Sequence, residues 1–144
     1  MEEKEDINAL DKIHKGACMG IDAISFVLDK VEDESLKNEL EKEESDYNAI
    51  KENIEKIYPK YNDGKPHETG VMTKAMTWSG IEMKTLTDKS NSKIAELLLQ
   101  GVNMGIIEGR RILNKKKINK EVESILSNYV TMQEKSVEAL KRYL

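Results

Sequence analysis

The sequence predicts an all-α, four-helix-bundle domain, and three observations predict it. Apolar residues recur at alternating steps of three and four along most of the 144 residues, only two prolines interrupt the chain, and charged residues (35%) nearly balance apolar ones (38%). The first is the periodicity of a helix with one buried stripe; the last is the composition of long helices whose outer faces are solvated. A chain of this length buries roughly two thirds of its unfolded surface, enough for one core in one domain spanning 1–144.

The stripe of helix A, about 6–31, runs Leu10, His14, Ala17, Ile21, Ile24, Leu28, Val31. Glu32-Asp33-Glu34-Ser35 supplies turn and capping residues. Helix B, about 34–58, then repeats the spacing with Leu36, Leu40, Glu43, Tyr47, Ile50, Ile54 and Ile57, and the short link predicts an antiparallel hairpin. Tyr58-Pro59 to Pro66-His67, with Asn62-Asp63-Gly64 between, reads as loop by its turn chemistry. A crossover helix is expected at about 70–87, with Met72, Ala75, Met76 and Met83 near helical spacing and Gly80 against it. Helix C, about 91–114, carries Ile94, Leu97, Leu98, Val102, Ile106, Ile112 and Leu113. Helix D, about 120–143, follows Asn119 as N-cap and turns Val122, Leu126, Tyr129, Gln133, Ser136 and Leu140 inward.

The two hairpins resemble each other. A shift of 85 residues lays Met19-Gly20-Ile21 on Met104-Gly105-Ile106 and Leu28 on Leu113; after one inserted residue, Leu40 falls on Leu126 and Ile54 on Leu140. Either a duplicated hairpin or a chance match in register accounts for this. Two hairpins joined by one long crossover is a known form of the bundle.

GIDAISFVLDKVEDESLKNELEKEESDYNAI in the first hairpin and TKAMTWSGIEMKTLTDKSNSKIAELLLQGVNMGIIEG across the crossover and helix C carry a further resemblance. In these stretches the chain resembles a bacterial family of ferritin-like proteins, a domain of unknown function. The resemblance implies a ferritin-like bundle and no activity. It also directs attention to metal ligands. A di-metal bundle of this kind takes a Glu from each of two helices and Glu-x-x-His from each of the others, so that side chains three apart on one face reach the same pair of ions. No Glu-x-x-His occurs here. The acidic candidates are Asp22 in helix A, Glu43 with Asp46 three residues on in helix B, and Glu108 in helix C, while helix D offers Tyr129, Met132 and Gln133 where ligands would stand. The ligand set is incomplete. No cofactor is expected, or iron, manganese or zinc if the partial site works.

Glu43 is the most informative residue, because it takes an inward position normally held by Leu or Ile. A buried carboxyl finds a partner or stays protonated. A hydrogen bond to Tyr129, mirrored by Glu108 to Tyr47, is the expected arrangement. His14, Cys18 and Asp22 form a stripe at four-residue spacing, each capable of ligating a transition metal, although a core His, a small buried Cys and a solvated Asp explain it as simply. Gly101, Gly105 and Gly109 recur on one face of helix C at about 1 kcal/mol each relative to Ala. They make room either for a packed helix, such as the crossover with Trp78, or for a ligand.

Other chemistry is missing. A net charge of -4 spread along the chain offers no basic stripe for nucleic acid. No apolar run approaches the ~20 residues of a membrane span, and MEEKEDINAL is unlike a secretory signal. With a single cysteine, these features predict a cytoplasmic protein without disulfides. Phosphate loops and nucleophile elbows are absent. The expected function is that of a non-catalytic helical bundle, a structural or interaction module that self-associates as a dimer or binds another protein. The alternatives are a metal-binding or di-iron-type oxidoreductase relative of ferritins and rubrerythrins, and a small-molecule binder in the bundle.

Overall fold

The computed structural model describes residues 2–64, 66 and 86–144. Four long helices account for most of them, and no strand occurs among the described residues. These are α1 (Glu2–Leu28), α2 (Glu34–Ile57), α3 (Asn91–Lys115) and α4 (Lys120–Lys141), with a 3-10 turn at Tyr58–Lys60. α1 ends three residues before the position its stripe suggests, in a turn closed by Lys30 N–H donating to the Val27 carbonyl at 2.8 Å. The crossover helix expected at about 70–87 falls largely on 67–85, outside the described residues, with His67, Met72, Met76, Trp78 and Met83.

Each helix after the first begins on a side-chain cap, which satisfies backbone N–H groups that the first turn leaves unpaired. Asp33 accepts from Leu36 N–H at 3.0 Å, Ser90 from Lys93 N–H at 3.2 Å and Asn119 from Glu121 N–H at 3.0 Å. α3 stops at Lys116, whose backbone is left-handed at φ 54°.

The apolar stripes meet in one core. Leu10, Ile13, Leu36, Leu40, Ile54, Ile94, Leu97, Leu126 and Leu140 are fully buried within it. Polar contacts then tie the helix ends. At one end the Asp6 carboxylate, itself buried, accepts from Asn119 N–H at 2.7 Å; Tyr58 O–H donates to Asp11 at 2.8 Å; Lys60 and Tyr61 both donate to Glu121. At the other end Ser35 and Tyr143 hydroxyls lie 2.6 Å apart, and Asn91 donates to Asp33 at 3.2 Å. The start of α1 therefore lies beside the start of α4, and the start of α2 beside the start of α3. No helix among the described residues is long and apolar enough to cross a membrane.

Candidate functional site

Between α1 and α3, near the middle of their lengths, the packing opens into a cavity of about 440 Å3. Its walls are mostly apolar, with Ile13, Ile24, Leu97 and Val102 among them, and glycines thin the helix surfaces at Gly16, Gly20, Gly101, Gly105 and Gly109. Lys12 and Glu108, 3.5 Å apart, form an ion pair from α1 to α3 at its margin, with Lys15 and Asp22 nearby on the lining.

The floor is different. It is a polar layer contributed by α2 and α4: Glu43, Tyr47, Tyr129 and Gln133, all buried and all lining the cavity. Ser136 O–H donates to Glu43 Oε1 at 2.5 Å, and Gln133 Nε2 donates to Tyr47 Oη at 3.4 Å. The Tyr47 and Tyr129 rings meet edge to face with centroids 6.4 Å apart, a favourable quadrupole arrangement. Two polar atoms of this layer, Glu43 Oε2 and Gln133 Oε1, are buried without a hydrogen-bond partner. Burial pushes the Glu43 carboxyl up to about 8, with help from the Glu39 carboxyl one turn earlier on α2 and against the Ser136 hydroxyl. Glu43 is thus an uncharged acid at neutral pH, and its O–H has the Glu39 carboxyl as a neighbour. Tyr47 is held up at about 12, again chiefly by desolvation.

The glycines explain how the layer fits. A Cβ at Gly20 would stand 2.7 Å from the Tyr47 ring, and one at Gly16 would overlap the Tyr129 hydroxyl. Likewise Gly105 leaves space for the Gln133 amide and Gly109 for Val130, whereas nothing lies within 4 Å of a Cβ at Gly101. Comparison with known proteins finds no family model, no curated protein and no solved structure that matches this chain.

The candidate ligands separate into three places. Asp22, Glu43 and Glu108 line the one cavity, while Asp46 is half-buried and 3.7 Å from Lys42 on α2. His14 is fully buried and turns to α2, where its Nε2 meets Glu55 Oε2 at 2.9 Å. A carboxylate there puts the ring proton on Nε2 and leaves Nδ1 facing Cys18 Sγ at 3.9 Å. Among the described residues, no three His, Cys, Asp or Glu side chains come close enough to share a metal ion. The donors present do not fit a carboxylate-bridged metal pair, since Glu43 is engaged by Ser136 and Glu108 by Lys12.

The expected Glu43–Tyr129 and Glu108–Tyr47 bonds are replaced by others. Glu43 takes its proton donor from Ser136, two helical turns beyond Tyr129, and the two tyrosines contact each other. Heptad spacing identifies the buried face of each helix; it does not set the axial register between α2 and α4. Sequence reasoning also missed Gly16, although its place four residues before Gly20 repeats the spacing visible in helix C.

Proposed function

We propose that this protein is a non-catalytic ferritin-like bundle that binds a small, largely apolar molecule between α1 and α3. The observation that carries the reading is the combination in one place of a cavity of about 440 Å3 with a buried polar floor that has unpartnered atoms. Protein interiors close-pack, and buried polar groups find partners, so open volume beside unpartnered polar atoms is the arrangement expected of a small-molecule site. The volume is at the small end of ligand sites, equal to about fifteen waters at about 30 Å3 each. A ferritin-like topology is supported by the end contacts: Tyr58 and Lys60 close α2 against the starts of α1 and α4, whereas Asn91 opens α3 beside the start of α2. With α2 ending at one end of the bundle and α3 starting at the other, these contacts favour two antiparallel hairpins and one crossover.

Gly101 provides the test, because a side chain there meets open space and projects into the cavity. Gly101→Leu should keep the helical circular dichroism of the parent and abolish binding of N-phenyl-1-naphthylamine, a neutral dye whose fluorescence rises in apolar surroundings. Dye that fails to bind the parent, or binds the variant equally, overturns the reading.

A second reading, a self-associating module, has its own observation. Met104 and Ile107 on α3 are 63% and 52% exposed and three residues apart on one face. Sedimentation velocity of the parent and Ile107→Lys separates the cases: a dimer that the variant dissolves supports it, and a parent that sediments as a monomer ends it.

A further inference from the structure

Resting on that binding reading, we infer that the cavity selects an uncharged head group bearing both a hydrogen-bond donor and an acceptor, a primary amide being the simplest, carried on an apolar tail. Four observations on the floor lead there.

Gln133 is 2% exposed, lines the cavity, and uses only its Nε2, leaving Oε1 buried without a donor. A ligand N–H or O–H that reaches Oε1 removes a desolvation cost the empty site carries already, so the contact contributes more than an ordinary exchange with water. Glu43 is 4% exposed on the next turn of the facing helix, with Oε1 taken by Ser136 and Oε2 unpartnered. Its acid proton, which the Glu39 carboxyl can accept when no ligand is there, can be given instead to a ligand carbonyl, and the same carboxyl can accept. Tyr47 and Tyr129 complete the floor with aromatic edges, on which a flat head packs. The side-chain amide of Gln133 itself can present either its oxygen or its nitrogen to the cavity, and a head with donor and acceptor together satisfies both orientations.

Charged heads fit poorly. A carboxylate sets its oxygens against Gln133 Oε1, and either charge loses its hydration in a floor that holds no opposite charge at neutral pH. The charges that do occur on the lining, Lys12, Lys15, Asp22 and Glu108, are two of each sign, and Lys12 and Glu108 form an ion pair, so the lining offers no net charge to an ion. An apolar compound with no head leaves both open atoms as they are.

The experiment is a series with one tail: 4-phenylbutanamide, 4-phenylbutan-1-ol, 4-phenylbutanoate, 4-phenylbutylamine and butylbenzene. Each displaces the naphthylamine dye from the full chain at pH 7. Amide and alcohol should bind about tenfold tighter than butylbenzene, the scale of one or two net hydrogen bonds, and both ions should bind more weakly than the amide. In Gln133→Leu the amide's advantage over butylbenzene should vanish while butylbenzene itself still binds, which shows that the fold and the cavity survive. Equal affinity across the neutral compounds overturns the head-group inference, as does tighter binding of the ammonium or carboxylate. Those outcomes leave cavity binding intact; failure of every compound and of the dye removes the function beneath it.

Discussion

Where Gly16 and Gly20 stand on α1, tyrosine rings from α4 and α2 come down onto the helix backbone; where Gly101 stands on α3, the corresponding space is open. The match in register between the two hairpins allows a position-by-position comparison. The 85-residue shift pairs Gly16 with Gly101 and Gly20 with Gly105, and the 86-residue shift pairs Tyr47 with Gln133 and Glu43 with Tyr129. Gly20 receives Tyr47 and Gly105 receives Gln133, so those two contacts are equivalent by the repeat. Gly16 receives Tyr129, and its counterpart contact would be Gly101 with Glu43. Glu43 is smaller than tyrosine and is drawn to Ser136. The cavity therefore lies beside Gly101, where the first hairpin has Glu43 in place of the ring that the second hairpin sets on Gly16. The same residue type thins both helices, in one case to admit a neighbour and in the other to leave room.

The sharpest way to break this comparison is one substitution at two sites. Gly20→Leu drives a side chain into the body of the Tyr47 ring, which has no free end to swing away, and should destabilise by about 3 kcal/mol. Gly101→Leu replaces glycine in a helix interior without a clash and should stabilise by up to about 1 kcal/mol. Urea unfolding of both reads the signs. Equal destabilisation would mean that Gly101 is packed like Gly20, and the contrast between the halves would be gone.

The Glu43 carboxyl gives the next effect. Its folded value of about 8 stands above the ordinary 4.5, so between these the folded state holds a proton that the unfolded state has released. Stability from this group is therefore full below about pH 4.5, falls as pH rises, and levels off above about 8, with a limiting slope of about 1.4 kcal/mol per pH unit. Glu43→Gln should flatten the profile between pH 5 and 8 relative to the parent. Parallel profiles would show that Glu43 ionises as freely in the fold as in the unfolded chain.

Glu43→Tyr sharpens the comparison from the other side, by giving the first hairpin the residue of the second. The ring should occupy the space before Gly101, remove the buried acid, and yield a protein about 1–2 kcal/mol more stable at pH 8. Naphthylamine dye should no longer bind. A variant that still binds dye would locate the open volume away from Glu43 and Gly101.

Much of this was legible in the residues. Every position read as inward on α4 is buried, and on α2 all are buried from Leu36 to Ile54. A strict stripe on a helix flanked on both sides leaves little choice. α3 departs after Val102: Ile106, Ile112 and Leu113 are only half-buried and Met104 is exposed, so the stripe marks the inner face there without setting how deeply it is covered. Glu43 was visible as an anomaly from its inward position, and its cavity was not, since the ring it lacks belongs to a residue 86 positions away. His14 shows the same limit. Its stripe with Cys18 and Asp22 is real on α1, yet its partner, Glu55, comes from α2 and leaves no trace in local spacing.

The smallest expected effect tests the equivalence of Gly20 and Gly105. A Cβ at Gly105 would first meet the terminal amide of Gln133, the far end of a flexible side chain, whereas at Gly20 it meets a rigid ring. In Gly105→Ala the amide swings aside and its 3.4 Å bond to Tyr47 is lost, at about 1 kcal/mol, against a gain of about 1 kcal/mol in helix propensity. Stability should change by less than about 0.5 kcal/mol, within the scatter of those two terms. Amide selectivity should nonetheless fall, since the Oε1 acceptor moves with the side chain. Loss of selectivity at unchanged stability would separate the role of Gln133 in binding from its role in packing, and strong destabilisation would show that the amide is held as rigidly as the ring at the matching place.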